Sequence, residues 1–183
     1  MPERYWVETL GCPKNAVDSD KLTGTLVAEG LEAAERPEDA DLVVVNTCAF
    51  IEAAREESIE TILELSAARR PGARLVVTGC LAERAGEELA EALPEVDAVA
   101  GFGVPVVLGR KAVPSFDLLN LPRPKSSAPW AYVKVAEGCD RTCGFCAIPS
   151  FRGPQRSRTE ESILAEVDGL GAAEVVLVAQ DLA

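Results

Sequence analysis

Apolar residues in this chain gather into short unbroken runs, separated by longer stretches in which they recur every three or four positions. The clearest run is Leu42-Val43-Val44-Val45, set between Asp41 and Asn46. It has no polar face, which predicts a strand over 41–46 covered on both sides, as in a parallel sheet. Shorter runs predict strands over 5–9, 74–78 and 96–100. Between them the period lengthens. Ile51, Ala54, Ser58, Ile62 and Leu65 fall on one helical face that should pack on the sheet. An earlier helix is expected to start near Asp18 or Ser19, both good N-caps, and to end at Gly30. A third runs to Leu93 and stops at Pro94. Strand and helix alternate through residue 103, which predicts an α/β fold built on an open parallel sheet.

The pattern breaks over 104–129, where Pro105, Pro114, Pro122, Pro124 and Pro129 interrupt any helix and predict a linker. A strand is expected over 131–135, then a helix capped by Thr159 and closed by Gly171, then a strand over 174–179. This is one βαβ unit. Only 54 residues run from Trp130 to Ala183, whereas a closed (β/α)8 barrel takes roughly 200 or more. Two parallel strands alone leave an apolar edge unpaired. The expectation is therefore a fragment or an unusually short form, organised as 1–103, a linker over 104–129, and 130–183.

Six cysteines lie on this framework. Cys12, Cys48 and Cys80 each follow the carboxyl end of an expected strand, 36 and 32 residues apart, about one strand-helix repeat each. In an open parallel sheet those ends share one edge, so three thiols distant in sequence should converge. The alternatives are three ordinary buried cysteines, or a redox disulfide between two of them. Cys139, Cys143 and Cys146 form a C-x3-C-x2-C set in the loop after the strand over 131–135. A structural zinc would want a fourth ligand, and the chain has no histidine and no further cysteine nearby. Three thiolates suit a [4Fe-4S] cube with one iron left open. A zinc knuckle or unligated thiols are the competing readings.

Composition narrows the picture modestly. Hydrophobic residues make up 48% and charged residues 26%, a globular profile. No apolar run is long enough to span a bilayer, and no signal-peptide core is visible near Met1, so a cytoplasmic protein is expected. In that compartment cysteines are more often ligands or catalysts than disulfides. The net charge of −12 argues against nonspecific nucleic-acid binding and accommodates a basic protein partner more easily. An acidic surface that merely keeps the chain soluble is the plainer reading of the charge.

The stretch from Glu137 to Cys146 resembles the cluster motif of radical S-adenosylmethionine (SAM) enzymes, in which an aromatic residue, here Phe145, commonly precedes the last cysteine. With both cysteine sets taken together, the chain from Glu8 to Ala183 resembles the radical SAM methylthiotransferase family. Three segments look like the branch of that family that modifies a ribosomal protein: Gly11-Cys12-Pro13-Lys14-Asn15, Val45-Asn46-Thr47-Cys48 with Phe50-Ile51, and Ala147-Ile148-Pro149-Ser150-Phe151-Arg152-Gly153.

The resemblance implies a flavodoxin- or Rossmann-like domain followed by the start of a radical SAM (β/α) barrel. It implies that Cys12, Cys48 and Cys80 hold an auxiliary [4Fe-4S] cluster, and that Cys139, Cys143 and Cys146 hold the cluster that binds SAM. One SAM would methylate a sulfur at the auxiliary cluster. A second would be cleaved to a radical that takes hydrogen from the β-carbon of an aspartate in a small-subunit ribosomal protein, and that carbon would then receive the methylthio group. Proximity of the two clusters would be required. Phe145 and Arg152 are the SAM-facing candidates. Arg152, Arg156 and Arg158 are candidates to meet the SAM carboxylate or substrate, with a solvated basic loop the plainer reading of each. Gln180 and Asp181 lie at a strand's carboxyl end, where barrel sites form, or open a polar loop. Asn15 and Asn46 read as braces for the cysteine loops. The alternatives are a tRNA adenosine methylthiotransferase, which the net charge disfavours, and a non-catalytic iron–sulfur module.

Overall fold

A computed structural model of the chain describes residues 2–101, 107–108, 111–112 and 119–182. The first part alternates strand and helix, as expected: β1 (Arg4–Thr9), α1 (Pro13–Ala28), β2 (Glu32–Ala33), a 3-10 turn (Pro37–Asp39), β3 (Leu42–Thr47), α2 (Glu52–Ala68), β4 (Arg74–Gly79), α3 (Cys80–Ala92) and β5 (Ala98–Ala100). The five strands form one parallel sheet in the order β2-β1-β3-β4-β5. That is the flavodoxin-type doubly wound order, whose switch point lies between the first and third strands.

Every residue of β3 is buried, as its unbroken apolar run requires. Alternate residues serve opposite faces. Leu42 and Val44 pack with Leu22 and Leu26 of α1, while Val43 and Val45 pack with Ile62 and Leu65 of α2 and Leu81 and Leu89 of α3. The sheet is thus sandwiched, α1 on one face and α2 with α3 on the other.

Two expectations need correction. The first helix starts at Pro13, five residues before Asp18. Proline suits the first helical position, where its missing N–H is no loss and its φ is already helical. Asp18 and Ser19 are therefore interior residues of α1, both buried. The edge strand β2 was not expected at all. Its two residues are exposed and carry no apolar run, so only pairing with β1 defines it.

Much of the expected linker over 104–129, with Pro105 and Pro114, lies outside the described residues. Within it β6 (Val107–Leu108) pairs antiparallel with β7 (Lys111–Ala112). The second part contains β8 (Trp130–Lys134), β9 (Ala136–Glu137), α4 (Ile148–Arg152), β10 (Arg156–Ser157), α5 (Glu160–Leu170) and β11 (Glu174–Val178). β8 and β11 pair parallel over five residues with α5 between them in sequence, the expected βαβ unit. Thr159 Oγ1 accepts the Ser162 N–H at 3.3 Å, and Gly171 ends the helix at φ 65°. Ala131, Val133 and Leu170 form its small core. α1 is the element shared between the parts: Leu22 and Leu26 face the sheet, while Asp18, Asp20 and Lys21 reach residues of the βαβ unit or the segment leading into it.

Candidate metal centre

Cys12, Cys48 and Cys80 follow β1, β3 and β4, which are adjacent in the sheet, so all three lie at one edge. Cys12 and Cys48 flank the switch point. Two glycines let the outer cysteines approach the middle one. Gly11 has φ 91°, and a Cβ there would lie 2.8 Å from Cys48 Sγ. Gly79 has φ 92°, and a Cβ there would lie 2.6 Å from the Thr47 backbone and 2.4 Å from Asn46 Oδ1. Only a residue without a side chain fits such a backbone and such a gap. Cys12 is the N-cap residue of α1 and Cys80 the first residue of α3.

Asn15 ties the three loops together. Its Nδ2 donates to the Leu10 and Thr47 carbonyls, each at 2.9 Å, and its Oδ1 faces Cys80 Sγ at 3.7 Å. Asn46 Nδ2 donates to the Asn15 carbonyl and to Ser19 Oγ, both at 3.0 Å. The brace role expected of the two asparagines matches this geometry. Ser58, expected only to pack on the sheet, instead holds Cys48: its hydroxyl accepts the Cys48 N–H at 3.1 Å and donates to the Ala54 carbonyl at 2.8 Å.

The second set sits in a loop whose base is the antiparallel pairing of β9 with β10. Cys139 is buried, Cys146 partly buried and Cys143 exposed. Cys139 N–H donates to the Gly153 carbonyl at 3.1 Å, and its sulfur accepts the Arg141 N–H at 3.4 Å. Gly138, at φ 81°, repeats the arrangement of a glycine with no room for a Cβ immediately before a cysteine. Phe145 points outward, 90% exposed. Gln180 and Asp181 both reach this loop: Gln180 Nε2 donates to Glu137 Oε1, and Arg141 Nε donates to Asp181 Oδ2, each at 2.6 Å.

The cysteine sets are joined by buried charges. Arg152 Nη1 donates to Asp18 Oδ2 at 3.0 Å and to both oxygens of Glu137 at 3.1 Å. Its Nη2 donates to Asn15 Oδ1 at 2.8 Å and to Cys80 Sγ at 3.1 Å. Lys134 Nζ pairs with Asp18 and, at 2.7 Å, with Glu137. Two cations thus meet two carboxylates out of solvent. Burial alone would raise the Asp18 pKa, but Lys134 and Arg152 outweigh it and hold the carboxyl below its usual range. Burial likewise disfavours the Arg152 cation, but Asp18 and Glu137 overcome it and hold the guanidinium charged. At Cys80 burial wins and pushes the thiol up, with Arg152 opposing.

The expectation of a solvated basic loop therefore fails for Arg152 and Arg158, whose side chains are only 3% exposed. Arg158 Nη1 reaches Glu166 at 2.5 Å, and Glu166 also receives Arg123 and Lys21. Arg156 is exposed, as expected. Asp18, Lys134 and Glu137 were missed as site residues. Asp18 had a sufficient local explanation as a helix cap, and its partners lie 116 and 134 residues away.

Among the described residues, no three His, Cys, Asp or Glu side chains gather tightly enough to hold one metal ion. A cluster makes a different demand, spreading its thiolates over separate irons. Three cysteines on adjacent strand ends, drawn together by glycines and free of disulfides, have the chemistry such a group needs.

Residues 4–101 match the family described as "Uncharacterized protein family UPF0004". The chain belongs to that family. The UPF0004 region holds Cys12, Cys48 and Cys80 but not the second set. Likeness to curated proteins extends further. The chain is 46% identical over 200 residues to a protein of Anaeromyxobacter sp. (strain K), an alignment covering 100% of this chain and 43% of the relative. It is 44% identical over 199 residues to one of Myxococcus xanthus, covering 99% and 42%. It is 44% identical over 197 residues to one of Moorella thermoacetica, covering 97% and 45%. Each is named "Ribosomal protein uS12 methylthiotransferase RimO". The chain spans less than half the length of these relatives.

Proposed function

We propose that this chain works in a radical SAM methylthiotransferase of the RimO kind, which attaches a methylthio group to the β-carbon of an aspartate in ribosomal protein uS12. One observation carries the reading: the identity to proteins so named covers the whole chain, and with it both cysteine sets. In this reading Cys12, Cys48 and Cys80 ligate an auxiliary [4Fe-4S] cluster, and Cys139, Cys143 and Cys146 ligate the cluster that binds SAM. When bound, these groups supply sulfur-group transfer and radical chemistry that no side chain can perform.

The residues of the chain hold and separate the two centres. The strand ends and their glycines gather the first three thiols, and Asn15 and Ser58 fix the loops that carry them. The β9–β10 pairing closes the second loop, with Gly138 allowing its tight base. Phe145, next to Cys146 in sequence and 90% exposed, is the residue we assign to lie against SAM. Arg152, by contrast, has its donors engaged by Asp18, Glu137, Asn15 and Cys80, which suits a residue that positions ligands. The domain division follows: 1–103 carries the auxiliary cluster, 104–129 links, and 130–183 begins a (β/α) barrel with the β8–α5–β11 unit. A cytoplasmic setting fits an enzyme acting on ribosomal protein, and among the described residues no helix is long and apolar enough to cross a membrane.

The test is a strain deleted for the gene that carries this chain, then complemented. Mass spectrometry of uS12 should show the methylthio addition on an aspartate only when the gene is present. A methylthio group on tRNA adenosine, with uS12 unmodified, would contradict the substrate assignment.

A further inference from the structure

Arg152 divides its fork in a way that packing alone does not require. Nη1 is saturated by the carboxylates of Asp18 and Glu137, while Nη2 is given to Asn15 Oδ1 and to the sulfur of Cys80 at 3.1 Å. A planar guanidinium held on one side delivers its other nitrogen in a fixed direction, which lysine cannot do. Asn15 is itself pinned by the Leu10 and Thr47 carbonyls, so the Arg152 nitrogen is aimed from both sides. Glu137, which anchors it, immediately precedes Gly138 and Cys139 and also accepts from Gln180. One unbroken chain of contacts therefore runs from Cys80 through Arg152 and Glu137 to the base of the Cys139 loop.

We infer that Arg152 is the positioning residue between the two centres, and that by donating to the Cys80 sulfur it sets the reduction potential of the cluster on Cys12, Cys48 and Cys80. The inference rests on the ligand assignment proposed above. A cluster gains negative charge on reduction. An N–H donor and a positive charge at a ligand sulfur favour the reduced form, so the midpoint lies higher with Arg152 in place.

The experiment uses the reconstituted chain with C139A, C143A and C146A, in which the remaining cluster is read alone. Arg152→Lys in that background keeps a cation for Asp18 and Glu137 but removes the sulfur-facing nitrogen. Its midpoint is expected to be more negative than the parent's; an unchanged midpoint overturns the inference. A second measurement spares Arg152, in case the lysine variant does not fold. The same background with Arg84→Lys, which removes the guanidinium bonded to the Ala49 carbonyl beside Cys48, is prepared with 15N-labelled arginine. Pulsed electron paramagnetic resonance of the reduced cluster should show a weakly coupled arginine nitrogen. A spectrum identical to that of unlabelled protein overturns the inference. Failure to assemble any cluster in the triple-alanine background overturns the ligand assignment as well, a result distinct from a cluster whose potential ignores Arg152.

Discussion

At the scale of single residues, the cysteines depend on their neighbours. Cys12, Cys80 and Cys139 each follow a glycine whose positive φ and missing Cβ let the chain close on itself. Gly79 gives the sharpest comparison. Gly79→Ala would strain the backbone and drive a methyl into the Thr47 backbone and Asn46, whereas Gly72→Ala, at a similar φ of 84°, meets no atom within 4 Å. The strain alone costs about 1–3 kcal/mol at either site, so Gly79→Ala should lose more stability in denaturant titration than Gly72→Ala. It alone should also lose iron on reconstitution. Equal losses at both sites would contradict the close-approach role. That Cys12, Cys48 and Cys80 share one sheet edge was legible in the sequence because their spacing follows the strand-helix repeat. The bonds that seat them were less so. Ser58 read as one more position on the α2 face, and nothing local distinguishes a serine that packs from one that holds the Cys48 backbone.

At the scale of elements, α1 bears the most. A helix ending near Gly30 is legible from its terminal glycine, but its start is not, because Asp18 and Ser19 have the chemistry of caps while Pro13 starts the helix. The consequence reached the site, since Asp18 as a cap has no reason to meet Lys134 and Arg152. β8 and β11 were legible from short apolar runs, and α5 from its cap and terminal glycine, because each signal is local. The ion pairs joining α1 to them are not local. Lys21 is the clearest of these, fully buried, bonded to the Leu119 carbonyl and 3.3 Å from Glu166. Burial is the largest influence on it and lowers its pKa from 10.5 to about 8, with Glu166 offsetting only part. Between those two values the unfolded chain holds a proton that the folded chain has given up, so stability from this group rises with pH across that window. Relative to Lys21→Met, the unsubstituted chain should gain stability from pH 8 to pH 10.5 in matched denaturant titrations. A constant difference would show that Lys21 does not titrate there.

At the scale of the whole molecule, a flavodoxin-ordered sheet and a βαβ unit meet through α1, and each presents a cysteine set near their junction. The strand order was not readable in the sequence, because β2 has no apolar signature. The shared edge was readable, because it follows from parallel strands alone. The net charge of −12 on these 183 residues disfavours nonspecific binding of nucleic acid by this part of the protein. The central claim is that both cysteine sets hold iron–sulfur clusters, and the iron and sulfide content of the anaerobically reconstituted chain tests it most directly. The expected content is about eight irons and eight sulfides per chain, falling to about four of each when Cys12, Cys48 and Cys80 are changed together to alanine. About one zinc with no sulfide, or an iron content that the triple substitution leaves unchanged, would contradict it.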